Sequence, residues 1–197
     1  MNDHELASVA AQRAGDFLLE LRARGGTGAE GDRQADDLIL PLLREHRPDD
    51  AILSEESKDD PSRLDHSRVW IVDPLDGTRE YGEAGRADWA VHVALVIDEV
   101  PGPSAVALPA QGLVLSTAPP PALAPAVDGP IRILVSRTRP PALATRLAEL
   151  LGGELVPMGS AGAKTMAVVQ GLADVYAHGG GQYEWDSAAP VGVATAA

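Results

Sequence analysis

The feature that most constrains this chain is an apolar strand that runs directly into a turn rich in oxygen atoms. The strand is Val69-Trp70-Ile71-Val72, and the turn is Asp73-Pro74-Leu75-Asp76-Gly77-Thr78. Proline fixes the backbone between the two acids and glycine allows a close approach, so carboxylates, a carbonyl and a hydroxyl can point inward together. Magnesium prefers such oxygens in an octahedral array. The turn therefore predicts a site for hard cations at a strand end.

A second acidic pair, Glu55-Glu56, follows another short apolar strand, Ala51 to Ser54. Two strands that each run into acids predict chemistry at the strand ends, and the combination indicates a metal-dependent enzyme that processes phosphate. Asp73 and Asp76 could alternatively form a plain turn or a calcium loop. A calcium loop requires acids at alternate positions and a distal glutamate, and this spacing breaks that pattern.

Composition excludes several classes of protein. At 197 residues and 45% hydrophobic content, the chain can bury a core as one domain or two closely apposed lobes. Acids outnumber bases 29 to 16, giving a formal net charge of -13, which argues against a nucleic acid polymer as partner. The absence of cysteine excludes disulfides and thiolate metal sites, and the histidines show no zinc-ligand spacing. With no run of about 18 apolar residues and no signal peptide, we expect a cytoplasmic protein without a membrane partner.

Periodicity predicts helices followed by a meander in the first part of the chain. Apolar residues at helical spacing indicate a helix from Asp3 to about Arg24. A second helix is expected to begin at Asp32 and to end before Pro48, with Pro41 kinking or shortening it. Strand periodicity indicates three antiparallel strands at Asp88–Ile97, Ala105–Leu108 and Gly112–Ser116.

A stretch rich in proline and alanine divides the chain into lobes. We place an N-terminal α+β lobe at residues 1–118, a linker at 119–130 and a C-terminal α/β lobe at 131–197. The second lobe alternates between strands and helices. Its predicted strands are Ile131–Val135, Glu154–Pro157 and Asp174–Ala177, and its predicted helices are Pro140–Leu151 and Ala163–Ala173.

Three acidic motifs are spread along the chain: Glu55-Glu56, Asp73 to Thr78, and Glu184-Trp185-Asp186-Ser187-Ala188-Ala189. In this order they resemble the lithium-sensitive, magnesium-dependent inositol monophosphatase superfamily. Gly31-Asp32, Thr78 to Tyr81, Gly159 to Lys164 and Glu184-Trp185-Asp186 resemble its CysQ branch, the 3'(2'),5'-bisphosphate nucleotidases. The resemblance covers nearly the whole chain. It implies an α/β (α+β) fold, the layered α-β-α-β-α sandwich of the inositol monophosphatase and fructose-1,6-bisphosphatase type.

The resemblance also implies the metal ligands. About two or three magnesium ions would bind at Glu55, Asp73, the Leu75 carbonyl, Asp76 and Asp186. Clustered carboxylates need such cations, because like charges otherwise raise each other's pKa. Asp186 also occupies an ordinary N-cap position, but we interpret it as a ligand.

Water activation is assigned from the same resemblance. In the nucleotidase branch, an aspartate at the position of Asp32 pairs with the turn threonine, Thr78, to orient and deprotonate the attacking water, and Glu55 belongs to the catalytic set. Gly77 and Thr78 would meet the phosphate. The alternative for Asp32 is a plain helix cap, and both roles are compatible.

Substrate choice is expected to come from the second lobe. Ser136 and Arg139 follow a strand, and Lys164, one of only two lysines, occupies a position where the nucleotidases carry a lysine. These basic residues could grip a second phosphate, with Glu184 as a further substrate residue, whereas a solvated loop is the alternative for Arg139 and the neighbouring Arg137.

The implied activity is magnesium-dependent hydrolysis of the 3'-phosphate of adenosine 3',5'-bisphosphate, and of its sulfated relative, in sulfate assimilation. Lithium inhibition is expected, and a homodimer is compatible with the family. The alternatives are inositol-1-monophosphatase or fructose-1,6-bisphosphatase activity, or a non-catalytic metal- or nucleotide-binding module. Because the family pattern continues past Asp186 with a further strand and helix, the second lobe is expected to lack its C-terminal part.

Overall fold

The computed structural model describes residues 1–125 and 128–197. Its strands are β1 Ala51–Ser54, β2 Arg68–Asp76, β3 Ala90–Ile97, β4 Val100–Leu108, β5 Leu113–Ser116, β6 Arg132–Ser136, β7 Glu154–Met158 and β8 Val175–Tyr176. Its α-helices are α1 Asp3–Ala23, α2 Gly28–His46, α3 Thr78–Gly82, α4 Ala142–Leu151, α5 Ala161–Val169 and α6 Glu184–Ala196.

Strands β1 to β5 form one sheet in sequence order. β1 and β2 are parallel and the other pairs are antiparallel, which confirms the predicted meander. Because side chains alternate along a strand, Val72 faces α1 and α2, and its neighbour Ile71 faces α5 and α6. The parallel pairing of β1 and β2 places Glu55 and Asp73 at the same edge of the sheet.

Strands β7, β6 and β8 form a second, parallel sheet. Ile133 and Val135 pack with Ala144 of α4 on one face, while Leu134 packs with Ala167 of α5 on the other. The layers are therefore α1 and α2, the first sheet, α5 and α6, the second sheet, and α4. This order confirms the predicted α-β-α-β-α sandwich.

The start of α2 differs from the prediction. Thr27, not Asp32, caps the helix, and it forms a capping box with Glu30. Asp32 therefore lies inside the helix, more than one turn from its start, and the helix-cap interpretation of this residue is wrong. Pro41 does not shorten the helix, which continues to His46, because buried apolar side chains on both sides of the proline pack against the sheet.

The largest of the other differences in element boundaries are at β4 and α5. The strand predicted from Ala105 begins at Val100, because a tight turn with positive φ at Asp98 and Glu99 returns the chain directly into β4. α5 spans Ala161–Val169 rather than Ala163–Ala173, and Gly171 follows it with φ of 71°.

The predicted linker has no helix or strand in its described part, and Ala126 and Val127 lie outside the described residues. α5 and α6 follow this stretch and pack against the first sheet, so the division into lobes at residues 118 and 131 stays a prediction. Within residues 1–125 and 128–197, no helix is both long and apolar enough to cross a membrane.

Candidate metal and phosphate site

The turn after β2 brings its two carboxylates together. An oxygen of Asp73 and an oxygen of Asp76 lie within 4.8 Å of each other. The Leu75 amide donates a hydrogen bond to Asp73 Oδ1 at 3.1 Å, and Gly77 has φ of 91°, a left-handed conformation that favours glycine. The structure therefore places the acids of the predicted cation turn on one site.

Glu55 reaches this site from the end of β1. Its amide donates to the Val72 carbonyl at 3.3 Å, which continues the parallel ladder by one residue. Asp36 of α2 anchors the segment Ser54–Ser57 that carries Glu55. Its two carboxylate oxygens accept hydrogen bonds from the Ser54 and Ser57 hydroxyls at 2.5 and 3.0 Å. The backbone on both sides of Glu55 is therefore fixed by hydrogen bonds to the buried Asp36.

Asp32 and Thr78 meet, as the resemblance implies. Asp32 is buried one helical turn before Asp36, and the Thr78 hydroxyl lies 3.4 Å from Asp32 Oδ2 and 3.2 Å from the Leu75 carbonyl oxygen, either of which can accept its proton. Asp32 Oδ1 is buried without a hydrogen-bond partner among the described residues. One oxygen each from Asp32, Glu55 and Asp73 lies within 4.8 Å of the others.

The acids repel each other strongly in the absence of cations. Burial and the charges of Asp76 and Glu55 raise the pKa of Asp73 well above its ordinary value. Burial and the charges of Glu55 and Glu56 raise the pKa of Asp32 to about 8. Burial and the charge of Asp186 also raise the pKa of Glu55. Such a cluster is stabilised by bound positive charge.

His92 is a residue of this site that the sequence analysis missed. It is fully buried on β3, and its Nε2 lies 3.2 Å from Asp76 Oδ2 without well-aligned hydrogen-bond geometry. Although burial lowers the pKa of His92, the Asp76 carboxylate raises it above its ordinary value. A single histidine within the apolar run Ala90–Leu95 is the only sequence signal that could have indicated it.

Asp186 approaches from the second part of the chain. It is the third residue of α6, and its Oδ2 accepts a hydrogen bond from the Tyr183 amide at 2.7 Å. Tyr183, rather than Asp186, is the N-cap. Burial and the charge of Asp76 raise the pKa of Asp186, so it belongs electrostatically to the same cluster.

A cavity of about 600 Å³ opens beside these acids. It is lined by most of the residues predicted to meet metal or substrate: Asp76, Gly77, Thr78, Ser136, Arg139, Lys164 and Asp186. Its far wall is formed by residues 176–182, including the glycine-rich loop. The structure therefore brings residues from the acidic turn and from the second sheet into one chamber.

Lys164 and Arg137 occupy this chamber differently. Lys164 is buried, and its ammonium donates to the carbonyls of Gly159 and Ser160 at 3.2 and 2.6 Å. Arg137 also lines the cavity, but its guanidinium donates to the carboxylates of Glu80 and Glu83 at 2.7 to 3.0 Å, so its charge is paired within the protein. Among the predicted cationic contacts, Lys164 and the exposed Arg139 remain for a phosphate.

Glu184 does not line the cavity, so its position does not support the substrate role predicted for it, which stays a prediction. It is exposed, and its carboxylate accepts a hydrogen bond from Arg63 at 2.7 Å beside a second cavity of about 420 Å³. The cause is helical geometry: residues two apart on a helix are separated by about 200°. When Asp186 of α6 faces the acids, Glu184 faces away.

The donor set fits magnesium. The carboxylates of Asp32, Glu55, Asp73 and Asp76 offer oxygen atoms, which hard cations prefer, and His92 adds one nitrogen to the group that contains Asp73 and Asp76. The Leu75 carbonyl accepts from Thr78 but keeps a second lone pair. The buried Asp32 Oδ1 without a hydrogen-bond partner and the raised pKa values of Asp32, Glu55 and Asp73 are the observations that a bound cation would explain.

The model of the Inositol monophosphatase family matches residues 10–119, more than half of the chain, and the chain belongs to this family. Proteins named 3'-phosphoadenosine 5'-phosphate phosphatase are among its relatives. The one from Mycobacterium bovis is 51% identical over 198 residues, covering 93% of this chain and 74% of the relative. The one from Mycobacterium leprae is 49% identical over 215 residues, covering 100% of this chain and 79% of the relative. The crystal structure of CysQ from Bacteroides thetaiotaomicron superposes with a TM-score of 0.80 at 27% identity, covering 98% of this chain and 85% of that one.

Proposed function

We propose that this protein is a phosphatase that removes the 3'-phosphate of adenosine 3',5'-bisphosphate. The observation that carries the proposal is that acids from both parts of the chain meet one cavity that also holds a buried lysine. The mycobacterial relatives, about half identical over nearly the whole chain, are named for this activity. The carboxylates supply a cation site, and Lys164 and Arg139 supply positive charge for a second phosphate.

Magnesium is the proposed ion, in about two or three copies, held by Glu55, Asp73, the Leu75 carbonyl, Asp76 and Asp186. When bound, such ions lower the pKa of water and neutralise charge on the phosphoryl oxygens. The protein contributes the fixed positions of these ligands. Asp76 is the most constrained of them, because its Oδ2 accepts hydrogen bonds from the Ser160 hydroxyl and the Gly162 amide, which leaves Oδ1 available.

Asp32 and Thr78 are proposed to orient and deprotonate the attacking water. The Thr78 hydroxyl can donate its proton to Asp32 Oδ2 and use its own lone pair to accept a hydrogen bond from water. Asp32 is then the final proton acceptor, because bound cations would offset the neighbouring negative charges and keep its carboxylate ionised. Attack of the water oxygen on phosphorus breaks the bond to the 3' oxygen, which leaves with the bonding electron pair and takes up a proton from solvent. The products are adenosine 5'-phosphate, with a free 3'-hydroxyl, and inorganic phosphate.

Asp32→Asn and Thr78→Val are expected to lower kcat by about 10²- to 10⁴-fold, the usual contribution of a general base, with little change in KM. The reason is that both substitutions remove proton transfer and retain the fold. Steady-state phosphate release measures the effect. Asp37→Asn, on an exposed position of the same helix, is the matched control. Equal turnover in Asp32→Asn and Asp37→Asn would refute the role of Asp32.

Lys164 and Arg139 are proposed to set the preference for a bisphosphate. Lys164 has three donors, and two of them are used by the Gly159 and Ser160 carbonyls, so one is left for a phosphate oxygen. The Lys164 ammonium also lies over the aromatic ring of Tyr176, 5.0 Å from the ring centroid. The ammonium therefore has a fixed direction along the cavity wall.

Lys164→Met is expected to lower kcat/KM for adenosine 3',5'-bisphosphate by about 10- to 150-fold, the value of one hydrogen bond to a charged group. For adenosine 3'-phosphate, which lacks the second phosphate, the change should be much smaller. Lys58→Met removes the other, exposed lysine and is the control. If Lys164→Met lowers both substrates equally, the lysine does not recognise the second phosphate.

Phosphate release from a panel of adenosine 3',5'-bisphosphate, inositol 1-phosphate and fructose 1,6-bisphosphate separates the remaining activities. The acidic turn alone is equally compatible with inositol-1-monophosphatase or fructose-1,6-bisphosphatase activity, and a preference for either substrate would overturn the nucleotidase proposal. No turnover of any of them would favour a binding module. Sulfate assimilation, lithium inhibition and a homodimer stay predictions of the family resemblance, and a cytoplasmic location stays a prediction from the sequence.

A further inference from the structure

His92 lies on the face of the first sheet that packs against α5 and α6, between Asp76 of β2 and the helix that carries Asp186. Its neighbours Val91 and Val93 face α1 and α2, so His92 faces the layer of α5 and α6 with Ala90 and Ala94. The side chain is completely buried there. A fully buried histidine requires polar partners, because burying an unpaired polar group is costly.

The two ring nitrogens of His92 contact different elements. Nδ1 lies 3.0 Å from the carbonyl oxygen of Trp185, at the start of α6 and next to Asp186. Because a carbonyl only accepts hydrogen bonds, Nδ1 is the donor. Nε2 lies 3.2 Å from Asp76 Oδ2 at the end of β2. One imidazole therefore spans the distance between an acid of the first sheet and the helix that carries an acid from the second part of the chain.

The start of α5 completes this arrangement around Asp76. Ser160 Oγ and the Gly162 amide donate to Asp76 Oδ2 at 2.6 and 2.8 Å. Gly162 packs directly on the imidazole, and a Cβ at this position would overlap His92 Nε2. The close contact thus depends on both residues, a histidine on β3 and a glycine on α5.

We propose that His92 is a positioning residue that couples Asp76 to Asp186 across the metal site. Its ring edge at Nε2 lies 3.2 Å from Asp76 Oδ2 and fills the space beside this oxygen, so that Oδ1 is presented to the cation. Its Nδ1 donates to the Trp185 carbonyl and fixes the first turn of α6, so that Asp186 is held at the same cation. This inference rests on the proposed function only for the assignment of Asp76 and Asp186 as cation ligands. What it predicts is cation affinity, which can be measured without phosphate hydrolysis.

The variants His92→Asn and His92→Gln separate the contact that Nδ1 makes with Trp185 from the contact that Nε2 makes with Asp76. The asparagine amide reaches about as far as Nδ1 and can keep the Trp185 contact, but it loses Asp76. The glutamine amide reaches about as far as Nε2 and can keep the Asp76 contact. We expect Mn²⁺ binding, measured by calorimetry without substrate, to weaken about 10- to 100-fold in His92→Asn, the usual cost of losing a partner of a metal ligand. His92→Gln should recover part of this loss.

Turnover provides a second readout. In His92→Asn, the half-saturating Mg²⁺ concentration should rise by a similar factor, while kcat at saturating Mg²⁺ and KM for substrate change little. His66→Asn, exposed and remote from the acids, is the matched control. Unchanged Mn²⁺ affinity in folded His92→Asn, or an equal loss in His66→Asn, would overturn the proposal. If the unmodified protein binds Mn²⁺ but hydrolyses no phosphate ester, the proposed function fails while the binding comparison still decides the role of His92.

A double-mutant cycle tests the contact itself and does not depend on the asparagine variant folding. Gly162→Ala should weaken Mn²⁺ binding and lower Tm in the presence of His92, because its Cβ overlaps the ring. In a His92→Ala background the same change should be neutral or stabilising, because the overlap is gone and a helix favours alanine over glycine. Additive effects of the two substitutions would show that the residues are not coupled.

Discussion

Asp76→Asn is expected to lower Mg²⁺-dependent turnover of adenosine 3',5'-bisphosphate by at least about 100-fold, the upper end of the cost of losing an outer partner of a metal ligand. The amide can preserve the acceptor for Ser160 and Gly162, so the local hydrogen bonds survive. What is lost is the negative oxygen that would face the cation. Phosphate release measured against Mg²⁺ concentration tests this expectation.

The choice of control makes the Asp76 result interpretable. Asp37→Asn removes one negative charge from an exposed position and should leave turnover unchanged. Circular dichroism should show that Asp76→Asn retains the fold. If the variant keeps more than about a tenth of the original activity, Asp76 is not a ligand; if the unmodified chain shows no turnover at all, the binding-module alternative gains support.

Local patterns were sufficient to predict the half of the site that lies on the first sheet. Glu55 and Asp73 each follow a short apolar strand, and parallel pairing of β1 and β2 brings their positions opposite each other. The Asp73–Thr78 turn is continuous in sequence, so its geometry depends mainly on proline and glycine. Neither inference requires knowledge of how distant elements pack.

The parts that depend on packing between distant elements were not predictable in the same way. Glu184 and Asp186 share one motif, but only the orientation of α6 decides which of them faces the acids. His92 acquires its role from contacts with Trp185 and Asp76, 93 residues and 16 residues away in sequence, respectively. A lone histidine in an apolar strand carries no local sign of these partners.

The role of Asp32 also depended on a feature that the sequence predicted wrongly, the start of α2. An aspartate after a glycine resembles a helix cap, and that interpretation was wrong because the helix is capped by Thr27, five residues earlier, in a capping box with Glu30. Once the helix begins at Gly28, Asp32 and Asp36 fall on one face, and both point at the end of the first sheet. A boundary shift of one turn thus converts a structural residue into a member of the site.

Asp73→Asn is expected to have opposite effects on stability and on metal response. Asp73 is buried among like charges that raise its pKa, so its ionised form destabilises the metal-free folded protein. Asparagine removes this charge and keeps the acceptor for the Leu75 amide. In EDTA at pH 7, the variant should therefore have the higher Tm. The unmodified protein should gain about 5 to 10 °C at a Mg²⁺ concentration 100 times its Kd, whereas the variant should gain much less.

The pH dependence identifies the cause of the Tm difference. A carboxyl whose pKa is higher in the folded than in the unfolded state costs nothing below the unfolded value, near 3.9, and its cost grows as pH rises toward the folded value. In EDTA, the Tm advantage of Asp73→Asn should therefore be small near pH 4 and increase toward pH 7, while Asp37→Asn should show no such trend. A lower Tm of Asp73→Asn in EDTA at every pH would mean that the carboxylate stabilises the metal-free fold, and the acidic cluster would then not require a cation.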